Sequence, residues 1–241
     1  MKFETRRKLY LFGKRMVNKF SVLKEINRIR RRARGAHVRT VVAGVGLKTA
    51  SHAIDAMEQN CLEPILTFGT LLGAIREHDL IKGDHDIDLG IIVDGSDNQI
   101  WKQVQSALES AGYSIARQYT LNGRITEQAY YADGFSFDVW GLCKDAGREG
   151  VRAYYHCQVD DAEYHSPDDR SIKYIDLPAY TARKRVQVGD YMLPVPDNAE
   201  DMVACVYGPN WATPDPGFVA GTGWTLMEGV VERRTVFLDV E

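Results

Sequence analysis

Three aspartates, Asp84, Asp86 and Asp88, alternate with His85 and Ile87 inside the segment TFGTLLGAIREHDLIKGDHDIDLGIIV (67–93). On an extended strand, residues two apart share a face. Ile87, Leu89, Ile91 and Val93 are therefore expected to face a core, with Asp86 and Asp88 on the other side, roughly 7 Å apart at Cα. Carboxylates held this close repel, and each raises the pKa of the other. A divalent cation between them removes that cost, and hard oxygen donors at this spacing suit Mg²⁺ or Mn²⁺. A calcium loop of the EF-hand type is excluded. It wants glycine sixth and glutamate twelfth from its first aspartate, and those places hold Leu89 and Gly95. Three solvated acids at the mouth of a strand are the plainer alternative, and the clean alternation argues against it.

Two further parts fit chemistry on phosphates. Gly69-Thr70 stands between an apolar strand, PILTF (64–68), and a short helix reaching about Arg76. At such a junction backbone N–H groups are free to meet a phosphate, and the threonine hydroxyl can donate; an ordinary turn and cap would look the same. In FSFDVWG (135–141), Phe135, Phe137 and Val139 alternate with Ser136, Asp138 and Trp140. Asp138 is thus expected on the strand face opposite the phenylalanines. There it would supply a third carboxylate for a metal site and help activate an attacking hydroxyl; an exposed polar sheet position is the alternative.

The elements that must position these groups follow from periodicity. Helices are expected over about 47–59, from Ser96-Gln99 (the spacing of a capping box) to Ser110, and from Asn198 to Tyr207 before Gly208-Pro209. Strands are expected at 87–93, 113–119, 124–132, 134–140, 151–159 and 171–177, with a loop at 166–170 and a hairpin at 186–196. Helices followed by consecutive strands and a closing helix predict an α+β fold, with a mixed or antiparallel sheet flanked by helices.

The 241 residues carry a net charge of −3, but residues 1–40 balance at +12 and the remainder at −15. A basic arm (1–40) and a body (41–241) are therefore expected. In the arm Leu9, Phe12, Met16, Phe20, Leu23 and Ile26 recur at helical spacing among lysines and arginines, and Gly35 is expected to stop the helix. A basic amphipathic helix fits an anionic membrane surface through residues 1–35; a solvated helix packed on the body, or nucleic acid, are the alternatives. No apolar run approaches the roughly 20 residues of a membrane span, and no cleavable signal peptide is expected. The four cysteines (61, 143, 157 and 205) form no CxxC pair, so a zinc site is not expected and reduced thiols are.

FGTLLGAIR (68–76), DHDIDLG (84–90), FDVW (137–140) and LPVPDNAEDMVACVYGPNW (193–211), in this order, resemble the LicD family, which includes the fukutin-related enzymes. The family lies within the polymerase-β-type nucleotidyltransferase superfamily. The resemblance covers about 60–217 and implies a nucleotidyltransferase-like fold. It implies a phosphotransferase that moves a phosphorylated alcohol, polyol or sugar from a CDP-activated donor onto a glycan hydroxyl, releasing CMP. Carried over by residue, Asp86 and Asp88 are the metal pair, with Asp84 beside them as an extra ligand or supporting acid. Asp138 is the third carboxylate and orients or deprotonates the nucleophile. Gly69 and Thr70 line the donor phosphates, with Arg76 a phosphate contact or structural pair. His85 departs from the aspartate many relatives carry there. Tyr207 and Trp211 are placed to stack on a base or sugar, or to close the core. The implied partners are the nucleotide-linked donor, a glycan or lipid-linked glycan acceptor and an anionic membrane at the cytoplasmic face. Nucleic acid is not expected. Two other readings are a nucleotidyltransferase that moves NMP onto a small molecule, protein or RNA, and a non-catalytic module that binds anionic glycan or membrane.

Overall fold

A computed structural model of the chain describes residues 21–94, 98–132, 134–145, 147–159, 166, 168–215, 217–219 and 221–238. The arm residues Leu9, Phe12, Met16 and Phe20 and the capping residue Ser96 lie outside the described residues.

The first described element is a single helix, α1 (Ser21–Gln59). It runs through Gly35, where a stop was expected, and through the start of the helix expected at 47. An interior glycine costs a helix only about 1 kcal/mol, and the flanking Arg, Ala, Leu and Lys residues propagate it. At Gly46 the glycine serves packing. A Cβ there would lie 2.9 Å from Leu80 Cδ1 and 3.3 Å from Ile87 Cδ1. The helix can therefore press closely on the segment that leads to the aspartates. Val42, Ala50, Ala53, Ile54 and Met57 form its buried stripe.

The next elements are β1 (Ile65–Leu66), α2 (Phe68–Arg76), β2 (Asp88–Asp94) and α3 (Gln99–Ser110). There follow β3 (Ser114–Leu121), β4 (Arg124–Ala132), β5 (Phe135–Lys144), β6 (Val151–Gln158) and β7 (Asp169–Leu177). The chain closes with β8 (Arg183–Val188), β9 (Tyr191–Pro196), α4 (Ala199–Tyr207), β10 (Thr225–Arg233) and β11 (Thr235–Val236). The fold is α+β, as expected. Strand β7 begins at Asp169, inside the expected loop 166–170, because Arg170 pairs with Gln158 of β6.

A large sheet runs in the order β10-β7-β6-β5-β4-β3-β11, with antiparallel neighbours throughout. The exception to antiparallel pairing is β2, which lies parallel to β5 and carries β1 on its other side. Strand β2 takes one edge of β5 from Asp138 to Lys144, while β4 holds the other edge only as far as Trp140. Strand β6 then meets that second edge at Cys143. Strands β8 and β9 form a separate hairpin.

Helices α1 and α3 cover one face of the sheet. There Ile87, Leu89, Ile91 and Val93 pack with Phe135, Phe137 and Val139. Trp101 of α3 presses so closely on Gly141 that a Cβ would sit 3.0 Å from its ring. Asn98, at the head of α3, receives the Ile125 N–H at its Oδ1 and donates to the Gly123 carbonyl, stapling the helix to the β3–β4 turn. No helix among the described residues is long and apolar enough to cross a membrane.

Candidate active site

The parallel register of β2 and β5 sets Asp88 directly beside Asp138. In-register neighbours project to one side, and here that side is opposite the core phenylalanines. Carboxylate oxygens of Asp86, Asp88 and Asp138 all lie within 4.8 Å of one another. Asp84 and Asp86 differ from the expectation of a continuous strand. The Asp84 N–H bonds back to the Ile81 carbonyl, Gly83 takes φ +91, and the strand starts only at Asp88. Pairing with β5 begins there, where Asp138 N–H meets the Ile87 carbonyl at 2.8 Å. The two outer acids therefore approach from a loop, and His85 joins them: its Nδ1 lies 3.8 Å from Asp84 and its Nε2 3.6 Å from Asp86.

The electrostatics are those of a site awaiting positive charge. Asp84 is pushed up to about 6, chiefly by burial and then by Asp86. Burial also raises Asp86, against the pull of His85 and with a push from Asp138. Asp88 stands well above the usual carboxylate range, through burial and then the charges of Asp86 and Asp138. Asp138 is raised by burial, with Arg117 the strongest opposing influence. All the donors are hard oxygens, and mutually repelling buried carboxylates gain most from a divalent cation, so the residues fit Mg²⁺ or Mn²⁺.

Helix α2 frames the other side of the acids. Phe68 opens it at φ +43, a backbone conformation rare for a bulky residue. The first-turn N–H groups of such a helix have no intrahelical acceptor. A Cβ at Gly69 would lie 3.2 Å from Asp84 Oδ2 and 3.5 Å from Asp88 Oδ2, so the helix start lies close to the carboxylates and a side chain there would press on Asp84. Thr70 is 1% exposed, and its hydroxyl oxygen accepts the Asp88 N–H at 2.9 Å. In this arrangement it fixes the start of β2. Arg76 Nε donates to Glu77 and Nη1 to the Trp211 carbonyl, tying α2 to the loop after α4. Tyr207 lies near Gly69 and packs on Phe218 at 5.1 Å; Tyr207 and Trp211 are both half-buried against the core.

Sequence reasoning missed three neighbours of the acids. Trp140, paired in register with Gly90, donates its indole N–H to Asp88 Oδ1 at 2.9 Å. Its ring lies among Phe68 (4.7 Å), Tyr155 (6.3 Å) and Trp224 (6.2 Å), so the segment leading into β10 contributes an aromatic wall. Glu127 of β4 pairs with Trp140 and is 5% exposed. Burial, and then Asp138, holds it well above the usual carboxylate range. Arg117 of β3 pairs with Ala129, which pairs with Asp138. An alternating pattern around Glu127 and Arg117 marks them only as strand residues; their place depends on register across three strands.

A family model described as LicD/FKTN/FKRP, nucleotidyltransferase domain, matches residues 62–198, more than half of the chain. No curated protein matches the chain. The matched stretch holds Asp84, Asp86, Asp88, Arg117, Glu127 and Asp138, whereas Tyr207, Trp211 and Trp224 fall beyond it.

Proposed function

The chain belongs to the LicD/FKTN/FKRP nucleotidyltransferase-domain family and is by that membership a transferase. From that premise we propose that it moves a phosphorylated alcohol, polyol or sugar from a CDP-activated donor onto a glycan hydroxyl and releases CMP. The observation that carries this reading is the in-register pair Asp88–Asp138, with Asp86 completing a triad of carboxylates on the open face of the sheet.

Asp86, Asp88 and Asp138 would hold Mg²⁺ or Mn²⁺, with Asp84 as an additional acid. The cation supplies charge neutralisation on the donor phosphates, which is what phosphoryl-group transfer chiefly demands. Trp140 fixes the rotamer of Asp88 through its indole N–H. The start of α2, close to the acids at Gly69, would offer backbone N–H groups to the donor phosphates. Asp138 orients the acceptor hydroxyl and takes up its proton, and burial favours that protonation. Tyr207 and Trp211 would stack on the base or sugar of the donor.

The test is a thermal-shift panel of CDP-activated alcohols and nucleotide sugars with and without Mg²⁺ or Mn²⁺. A selective, cation-dependent rise in Tm is expected for one CDP donor; bound at 100-fold its Kd, such a ligand adds about 2.7 kcal/mol. Product analysis with that donor should give CMP and a phosphodiester-linked substituent. Pyrophosphate and a nucleotidylated acceptor would replace this reading with NMP transfer. Absence of any cation-dependent response would favour a binding module.

The basic arm is assigned to an anionic membrane surface at the cytoplasmic face, which would bring the site to a lipid-linked acceptor. Within the described part of α1, Ile29, Arg32 and Arg39 are exposed, ahead of the stripe that packs on the body. Because α1 continues through position 40, the division between arm and body is one of task and not of backbone. Deleting residues 1–35 is expected to abolish co-sedimentation with vesicles containing anionic lipid. Unchanged sedimentation would remove the arm from this role.

A further inference from the structure

We propose that Arg117 is a phosphate-binding residue of this site, meeting the oxygens of a cation-held diphosphate from the flank opposite β2. The inference rests on the phosphotransferase reading and names a contact that reading does not contain.

Register is the first argument. Arg117, Ala129, Asp138 and Asp88 form one row across β3, β4, β5 and β2, each paired with the next. Their side chains share the face that carries the carboxylates. Between Arg117 and Asp138 stands only the buried methyl group of Ala129. The arginine crosses it and donates from Nη2 to the Ser136 hydroxyl at 3.0 Å, two residues along β5 from Asp138. Its head group thus lies on the carboxylate face, close enough for its charge to act on Asp138.

The guanidinium also lacks partners. Arg117 is among the favourable charges felt by both Asp138 and Glu127. Yet it forms no ion pair among the described residues, in a chain where Arg124, Arg148, Arg152, Arg183 and Arg234 all do. Its Nε is buried with no acceptor. A guanidinium has five N–H donors in a planar fork, and one is used here. Leaving the buried Nε–H without an acceptor is costly, and the fork matches phosphate oxygens two at a time. Glu127, more deeply buried than the arginine, forms no ion pair with it among the described residues.

An anion entering a row that ends in carboxylates must bring or share a cation. A diphosphate does both: one side engages the cation at Asp86, Asp88 and Asp138, the other presents oxygens to Arg117. A simple carboxylate ligand could satisfy the arginine but would leave the aspartates repelling it.

The full chain and its Arg117→Met and Arg117→Lys variants would be titrated calorimetrically with Mn²⁺ alone, then with CDP and with inorganic pyrophosphate in the presence of Mn²⁺. Arg117→Met should bind Mn²⁺ at least as tightly as the wild type, because a nearby positive charge is gone. It should bind CDP and pyrophosphate alike roughly 10–100-fold more weakly, the range for losing a charge-assisted contact. Arg117→Lys should recover part of the loss. Equal CDP affinity in wild type and Arg117→Met overturns the assignment. So does a parallel loss of Mn²⁺ and CDP binding with a lower Tm, which marks a structural role. A wild type that binds Mn²⁺ but neither CDP nor pyrophosphate sinks the parent reading and this one with it, a result distinct from the other two.

Discussion

Asp138→Asn should slow transfer from the CDP donor by roughly 10³-fold, the effect of removing about 4 kcal/mol of transition-state stabilisation. The substitution is nearly isosteric, and the backbone of Asp138 keeps its pairings with Asp88 and Ala129, so the strand should be undisturbed. What disappears is a negative oxygen at the one place where β2 and β5 bring two acids side by side. Asp86→Asn should fall comparably, since its oxygens share the same 4.8 Å cluster. The control is Asp94→Asn. It lies on β2 with Asp88 but at the exposed far end, paired with Lys144, and its rate should match the wild type. Steady-state rates with saturating donor and cation decide the matter. Wild-type turnover in Asp138→Asn would remove that carboxylate from the mechanism, and an equal loss in Asp94→Asn would reduce the effect to general charge.

The acids that matter for this result were legible in the sequence because one face of their strands is buried. Leu89, Ile91 and Val93 on one strand and Phe135, Phe137 and Val139 on the other leave Asp88 and Asp138 a single direction to point. That Asp138 joins Asp86 and Asp88 follows the expectation of a third carboxylate; that its strand runs parallel to β2 was not legible, because the sense of pairing between distant segments leaves no local trace. For the same reason Arg117 and Glu127 read as ordinary strand positions. The long run of α1 through Gly35 escaped notice because a glycine stop is a weak signal against a strongly helical context. Strand β10 was missed altogether. It is an edge strand, mostly exposed, with a register shift between Leu226 and Val231, so it lacks the alternation that marks a half-buried strand. Its consequence is nevertheless local to the site, since Trp224 just ahead of it sits 5.4 Å from Phe68 and 5.8 Å from Tyr155.

Freed of divalent cations, the protein should grow more stable as pH falls from 7.5 to about 5.5, the reverse of ordinary acid destabilisation. Asp84, Asp86, Asp88, Glu127 and Asp138 all have folded pKa values raised above their ordinary ones, burial being the largest cause in each. A raised folded pKa means the native state binds the proton more tightly than the unfolded chain. That contribution is fully present below about pH 4 and is lost as pH rises through the folded value, about 6 for Asp84. His156 opposes it. Buried beside Thr126 and lowered to about 3, it costs stability as pH falls below its ordinary 6.5. Each group contributes at most about 1.4 kcal/mol per pH unit, and several acids outweigh one histidine. Saturating Mn²⁺ should invert the trend, because the cation binds the ionised carboxylates and protons compete with it. Asp88→Asn separates the charge from the geometry. An asparagine can still accept the Trp140 indole N–H through its Oδ1, while the buried charge repelled by Asp86 and Asp138 is gone. The cation-free variant should therefore melt above the wild type at pH 7.5, by about 2–4 °C per kcal/mol recovered in a chain of this size, and its Mn²⁺-induced rise in Tm should vanish. A lower Tm for cation-free Asp88→Asn, or an undiminished Mn²⁺ response, would mean that the carboxylate cluster is held together by something other than the demand for a cation.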